Sequence, residues 1–126
     1  MRGIRIITTS VSLSLDRAVY FAGESATLEA RFTISNTTGD VVSLNFGSSQ
    51  VYDLEIRNEK GAVVYRWSAG KSFAQVITDF DLVNEREFAI AASLKDLPAG
   101  KYVAQAWLVA IGPERAYSGS VGFEIR

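Results

Sequence analysis

Apolar and charged residues alternate along short stretches of this chain, most clearly in residues 52–57, and this alternation limits the folds that the chain can adopt. The apolar members are Tyr52, Leu54 and Ile56, and the charged members are Asp53, Glu55 and Arg57. A period of two residues is typical of a β-strand with one face in the core and the other in water. We therefore expect the three charged side chains to be exposed.

A second strand pattern follows the first after a turn. Residues 58–61 are polar and end in Gly61, a residue that adopts positive φ without steric cost. Beyond this glycine, Val63, Tyr65 and Trp67 begin a second alternation. The block 50–75 therefore predicts a β-hairpin.

Similar patterns recur through the rest of the chain. They lie at residues 11–15, 28–34, 42–46, 88–90, 102–109 and 117–125. Clusters rich in Gly, Asn, Asp or Pro separate them, and no stretch has the 3.6-residue period of a helix. Short strands separated by turns, without helices, favour an antiparallel sandwich. We predict an all-β fold of about eight strands.

Two local patterns support this fold class. The cluster Asn36-Thr37-Thr38-Gly39-Asp40 predicts a tight turn between two strands. The run 97–102 ends in Tyr102 near the start of a late strand, which is the position of a tyrosine corner in a β-sandwich. We expect the hydroxyl of Tyr102 to bond to nearby backbone.

The length of 126 residues corresponds to one domain, and we predict that residues 1–126 fold as a single unit. A chain of this size buries about two-thirds of the surface that its unfolded form exposes. The chain has no cysteine, which is consistent with a reducing compartment. Its rigidity must therefore come from packing and hydrogen bonds.

Composition excludes several classes of function. Without histidine or cysteine the chain offers no Ser-His-Asp triad, no Cys-His pair, no imidazole base and no His-ligated zinc. We predict that it is not an enzyme and has no catalytic residue, cofactor or metal. Thirteen basic and fourteen acidic residues give a net charge of −1, without the basic excess that nucleic-acid binding requires.

The amino-terminal run 1–15 contains two arginines, but threonines and serines interrupt its apolar residues, so we predict no export signal. No stretch approaches the roughly 20 apolar residues of a membrane-spanning helix. These observations predict a cytoplasmic protein that does not associate with a membrane.

Three pieces of the block 50–75 match a known pattern, namely YDLEI at 52–56, GAVVYRWS at 61–68 and FAQ at 73–75. In sequence and spacing they resemble the bacterial intracellular proteinase inhibitor family of the BsuPI type. Further matches extend the resemblance over roughly residues 11–110; they lie at residues 20–24, Asn36, 44–46 and 97–102. One departure is Val83-Asn84-Glu85, where such proteins often carry a Pro-Gly-Glu turn.

The resemblance implies an immunoglobulin-like sandwich and inhibition of an intracellular serine protease of the subtilisin type. Related domains also occur inside other proteins. A non-catalytic module that binds a protein unrelated to proteolysis is therefore the alternative hypothesis. The departure at 83–85 changes the loop that would carry a partner contact. The sequence leaves open whether exposed strand edges pair into a dimer.

Trp67, Lys71 and Phe73 are candidate partner-binding residues because they surround a glycine-containing turn. An aromatic anchor beside a basic side chain is a common arrangement at protein interfaces. The alternative is that Trp67 continues the alternation of the strand before it and lies in the core. Lys71 then remains a solvated surface charge.

Residues 78–85 are expected to form a connecting loop with three further candidates, Phe80, Leu82 and Val83. These apolar side chains would project into the cleft of a protease, which takes an extended peptide as an added strand. Alternatively, they cover an open edge of the sandwich. The carboxylates Asp79, Asp81 and Glu85 offer oxygen ligands for calcium, but their spacing differs from that of an EF-hand loop.

Overall fold

The structure is a computed structural model that describes residues 9–23 and 26–126. The amino-terminal residues 1–8, for which no export signal is predicted, and Glu24 lie outside this range. The described residues form ten strands: β1 (Thr9–Leu15), β2 (Val19–Tyr20), β3 (Thr27–Asn36), β4 (Val42–Phe46), β5 (Tyr52–Asn58), β6 (Val63–Arg66), β7 (Thr78–Leu82), β8 (Glu85–Ser93), β9 (Gly100–Leu108) and β10 (Ser118–Ile125). In this part of the chain, no helix has the length and apolar character that crossing a bilayer requires.

Two main sheets form an immunoglobulin-like sandwich, so the predicted fold class is confirmed. The first sheet has the strand order β1-β3-β8, and the second has the order β2-β10-β9-β5-β6. Neighbouring strands run antiparallel, except that the short strand β2 pairs in parallel with the end of β10. The structure has ten strands where about eight were expected, because the sequence patterns did not predict β2 or β7.

The core lies between the two sheets and follows the predicted alternation. The inward residues of β3 are Leu28, Ala30, Phe32 and Ile34, and all four are buried. Leu54 and Ile56 of β5 meet them from the opposite sheet as part of the same buried cluster. Each large apolar side chain buried in this way stabilises the fold by about 1.5–3 kcal/mol.

The predicted hairpin is present as β5 and β6. The amide of Gly61 donates to the carbonyl of Asn58 at 2.9 Å, and Gly61 has the positive φ of 81° that this turn requires. Tyr65 and Trp67 pack against the core as expected, whereas Val63 is exposed. A shift of register beside Arg57 turns Val63 away from the interior.

Residues 78–85 do not form the expected connecting loop, and that prediction is wrong. Thr78–Leu82 forms β7, which pairs with β4 from Val42↔Leu82 to Phe46↔Thr78. The strand forms because Phe80 stacks on Phe46 with ring centroids 5.5 Å apart, while its acidic residues face outward. Strand β8 then begins at Glu85.

Strands β4 and β7 continue the β3–β8 ladder beyond a kink. At the kink, which lies between the pairs Ser35↔Glu85 and Val42↔Leu82, residues 36–41 face only residues 83–84. The side-chain amide of Asn36 donates to the carbonyls of Leu82 at 2.6 Å and Asp40 at 2.7 Å. Its Oδ1 accepts the amide of Thr38 at 2.9 Å, which gives the turn predicted at 36–40.

The tyrosine corner is also confirmed. The hydroxyl of Tyr102 donates to the carbonyl of Pro98 at 2.6 Å. Burial, together with the nearby carboxylate of Glu59, raises the pKa of Tyr102 above its ordinary value, so the phenol keeps its donor proton. This bond fixes the connection that leads into β9.

Candidate functional site

The turn after β6 places Trp67 and Lys71 against each other. Residues 67–70 form this turn, closed by bonds from the amide of Ala69 to Arg66 and from that of Lys71 to Ser68. The ammonium group of Lys71 lies 4.8 Å from the centre of the Trp67 ring. A cation over an aromatic face is attracted by the ring quadrupole, so Lys71 is held although it is exposed.

The same turn is hydrogen-bonded to a buried carboxylate, that of Asp53. Asp53 accepts the hydroxyl of Ser68 at 2.6 Å and its amide at 3.1 Å. The expectation that Asp53 is exposed is wrong, because the turn after β6 covers it and satisfies its oxygens. Asp53 thereby ties the turn to β5, the strand beside the edge strand β6.

Trp67 joins the candidate residues to the core through a chain of aromatic rings. Its ring lies 4.8 Å from that of Tyr52 and 5.9 Å from that of Phe73. Tyr52 in turn contacts Phe88, which contacts Phe80. Lys71 and Phe73 therefore both contact Trp67, and Phe80 belongs to the same aromatic chain.

The segment after the turn, residues 71–77, belongs to no strand. Phe73 anchors its beginning. The amide of Ala74 donates to the hydroxyl of Ser49 at 2.8 Å, and the carbonyl of Ala74 accepts the amide of Ser49 at 2.9 Å. The next anchor is Thr78, the first residue of β7. The run between Ala74 and Thr78 is thus fixed at both ends.

Within this run Val76 and Ile77 are exposed, and 84% of Ile77 is accessible. We call residues 74–77 the exposed segment. Val76, Ile77 and Ser49 were not among the site residues expected from the sequence. A signal was present, because two adjacent apolar residues follow the polar Gln75 outside any alternating pattern. Such side chains have no core face to occupy.

Three candidate residues lie on β7 and in the turn after it, and each has a different environment. Leu82 is only 2% exposed and belongs to the core, which corrects the expectation that it projects outward. Phe80 is half-buried, and the guanidinium of Arg86 lies 4.6 Å from its ring centre. Val83 is exposed at the kink, and so is Val41, the residue before the pair Val42↔Leu82.

The acidic residues of this region have hydrogen-bond partners of their own. Asp81 accepts the hydroxyl of Ser43 at 2.9 Å, and Glu85 accepts that of Ser35 at 3.4 Å. Asp79 lies on the exposed face of β7. Among residues 9–23 and 26–126, no group of three or more carboxylates is arranged to hold a metal ion.

Surface depressions lie elsewhere on the molecule. Three have volumes of about 400, 390 and 270 Å³. The first lies on the outer face of the three-stranded sheet, around Arg31 and Ala89. None of the three is lined by Trp67, Lys71, Phe73 or Val83. The candidate site therefore lies outside these three depressions.

The outer face of the five-stranded sheet holds a second polar cluster, centred on Glu55. This carboxylate is fully buried, contrary to the expectation that it faces water. Three guanidiniums cover it, at 2.6 Å from Arg115, 2.8 Å from Arg66 and 3.1 Å from Arg57. Burial alone would raise the pKa of Glu55, but hydrogen bonds and charge from Arg115, with further bonds from Arg57 and Arg66, lower it below its ordinary value.

Solved structures with this fold include proteins of unlike function. The sporulation control protein Spo0M from Bacillus subtilis is 14% identical with a TM-score of 0.57, over 95% of this chain and 49% of that chain. The alkylpurine DNA glycosylase AlkC from Pseudomonas fluorescens is 18% identical with a TM-score of 0.54, over 94% of this chain and 30% of that chain. The CARDB domain of a Pyrococcus furiosus protein is 10% identical with a TM-score of 0.50, over 93% of each chain.

At these identities the likeness shows the fold alone, and the chain spans half or less of Spo0M and AlkC. A comparison with curated proteins gives no significant match. A family model described as intracellular proteinase inhibitor matches residues 13–112, which include the hairpin, the aromatic chain and the exposed segment. Such inhibitors bind an enzyme and are not enzymes themselves. The chain belongs to the BsuPI family of intracellular proteinase inhibitors.

Proposed function

We propose that this chain inhibits a serine protease of the subtilisin type in the cytoplasm, by inserting residues 74–77 into the substrate cleft. The observation that carries the proposal is the exposed segment, which belongs to no strand, is anchored at Ala74 and Thr78 and presents Val76 and Ile77. A protease cleft takes an extended peptide as an added strand. Membership of the inhibitor family supplies the partner class.

Exposed residues outside the segment, at both ends of the β4–β7 pair, supply additional contact area. Nanomolar inhibition requires about 12 kcal/mol, and a standard interface buries about 1,600 Å² in total, which exceeds the area of four residues. Ile111, in the connection between β9 and β10, is exposed, and its amide donates to Asn45 of β4 at 2.7 Å. Val41 and Val83 are exposed at the opposite end of the β4–β7 pair.

Resistance to cleavage follows from the anchors around the segment. A loop held in one conformation binds without an ordering cost, and after a cut its ends would stay in place and favour re-formation of the bond. In this chain the ring contact of Trp67 with Phe73, the two bonds between Ala74 and Ser49, and the bonds of Ser68 with Asp53 provide the restraint.

Lys71 and Phe73 then act as positioning residues, because their side chains already contact Trp67. Val83 acts as a secondary contact at the kink. The departure from Pro-Gly-Glu at residues 83–85 alters this secondary contact and leaves the exposed segment unchanged.

A second candidate function is a protein-interaction module without an effect on proteolysis. It is supported by the occurrence of the same fold within larger proteins such as Spo0M and AlkC. The same exposed apolar residues would then contact a protein other than a protease.

Titration of the purified chain against a panel of bacterial serine proteases that includes a subtilisin-type enzyme tests the proposal. We expect loss of protease activity at a one-to-one ratio, and an intact complex on gel filtration. Unchanged turnover of every protease at micromolar inhibitor, or complete digestion of the chain, would reject inhibition and leave the interaction module.

A further inference from the structure

Around Glu55, the outer face of the five-stranded sheet presents guanidinium groups to solvent and buries two carboxylates. In one cross-strand row Glu55 lies between Arg66 and Gln105. Arg115 reaches over this row and donates to both Glu55 and Gln105. Neither the kink nor the exposed segment described above uses these residues.

The accessible charges around Glu55 are positive, and the partly exposed Glu124 lies farther along the same face, opposite Lys101. The side chains of Arg57, Arg66 and Arg115 are 43%, 40% and 23% exposed, whereas Glu55 is fully buried and Asp53 nearly so. With both carboxylates counted, the cluster has a net charge of +1 (three arginines, two carboxylates). A partner approaching this cluster from solvent meets the guanidiniums, while Asp53 and Glu55 stay buried.

The guanidiniums are held in place before any partner binds. Trp107 packs beneath them, with its ring centre 3.9 Å from the guanidinium of Arg115 and 5.3 Å from that of Arg66. Each guanidinium has five N–H donors, and the hydrogen bonds to described residues engage only one N–H group of Arg66 and two of Arg57. The remaining donors are therefore free to bind carboxylate in the fork geometry typical of arginine.

Apolar side chains flank the arginines. Val103 of β9 and Val63 of β6 are both exposed, and each lies opposite Arg57 in its ladder. Arginine combined with apolar surface is typical of protein interfaces. Nucleic acid fits less well, because the chain lacks the basic excess needed to neutralise many phosphates.

We propose that this arginine face, formed by Arg57, Arg66, Arg115, Val63 and Val103, binds an acidic, extended protein segment whose carboxylates engage the guanidiniums and whose apolar side chains contact the two valines. The surface is separate from the exposed segment, so this binding does not depend on protease inhibition.

The test uses a labelled, acetylated peptide in which glutamate and valine alternate, with a glutamine–valine peptide as its uncharged counterpart. In an extended chain this alternation places all carboxylates on one side. Fluorescence anisotropy measures binding to the full chain at low and physiological salt. We expect binding of the glutamate peptide only, weakened by added salt.

Three variants locate the binding. Arg57→Gln removes a guanidinium and is expected to weaken binding at least about tenfold. Arg57→Gln also removes a hydrogen-bond partner of Glu55. Val103→Glu therefore provides a second variant, which keeps every arginine and repels the peptide. Arg31→Gln, on the opposite sheet, removes the same charge and serves as the matched control.

Binding that is lost in Val103→Glu and kept in Arg31→Gln supports the proposal. Absence of binding at low salt, equal binding of the glutamine peptide, or equal loss in Arg31→Gln overturns it. Tighter binding of a single-stranded oligonucleotide than of the glutamate peptide also overturns it. Protease inhibition, measured on the same Val103→Glu sample and expected to be unchanged, reports separately on the proposed function.

Discussion

Glu55 of β5 and Arg115 of the connection between β9 and β10 are 60 residues apart in sequence and form an ion pair of 2.6 Å. Arg115 has a φ of 54°, a left-handed conformation that costs about 1 kcal/mol for a residue with a side chain. The ion pair compensates for this strain and fixes the connection over the sheet. The buried carboxylate therefore organises a surface loop.

Replacing Glu55 with glutamine should lower the free energy of unfolding by about 3 kcal/mol, because three guanidiniums lose their buried counter-charge. Urea denaturation followed by fluorescence measures the change. Glu87→Gln is the matched control, since Glu87 pairs with Arg31 at an exposed site and should contribute at most about 1 kcal/mol. Equal effects of the two substitutions would contradict the assigned role of Glu55.

The effect of Glu55 should depend on pH. Its pKa is lowered in the folded protein, so its stabilisation is present above the unfolded value of about 4.3 and is lost as the pH falls through the folded pKa. The stability difference between the wild-type chain and Glu55→Gln should therefore be constant from pH 7 to about 5 and shrink below about 4. A stability difference that grows as the pH falls would contradict this prediction.

Asn36 holds the kink, and Asn36→Ala should lower the free energy of unfolding by about 2 kcal/mol through loss of its bonds to Leu82, Asp40 and Thr38. Amide hydrogen exchange should become faster in β4 and β7. In Asn84→Ala only the side chain changes, and the backbone carbonyl that accepts the amide of Asn36 remains. We expect this control to resemble the wild type; equal acceleration in both variants would argue against the role of Asn36.

Ser68→Ala removes the hydroxyl that bonds Asp53 and should loosen the turn before the exposed segment. We expect a subtilisin-type protease to cut residues 71–77 at least about tenfold faster in this variant, as measured by mass spectrometry of the digest. Ser72→Ala, at an exposed position of the same segment, should be cut at the wild-type rate. If both variants resist cleavage equally, the turn does not provide the restraint.

Much of the fold could be predicted from local patterns. The alternation in β3 matches a sheet with one buried face, and the Tyr102 bond to Pro98 follows from a short-range motif. In β7 the alternation of Phe80 and Leu82 with Asp79 and Asp81 was present, but the density of acidic residues favoured a loop interpretation. The strand forms because β4, more than thirty residues earlier, offers Phe46 as a partner.

The buried charges could not be predicted in the same way. A period of two residues separates the two faces of a strand, but it does not distinguish water from a covering layer of arginines. The residue that closes the layer over Glu55 is Arg115, which only the tertiary fold brings into contact. Likewise, the aromatic pattern marked Trp67 and Phe73, whereas Ser49, which fixes the exposed segment, carries no local signal.

The inhibition constant of Ile77→Glu against a protease that the wild-type chain inhibits tests the central claim most directly. The substitution places a charge on the most exposed apolar side chain of the segment while leaving its anchors intact. Val103→Glu introduces the same charge on a different face and serves as the control. We predict that the inhibition constant rises at least about a hundredfold for Ile77→Glu and stays unchanged for Val103→Glu. An unchanged inhibition constant for Ile77→Glu would contradict the account.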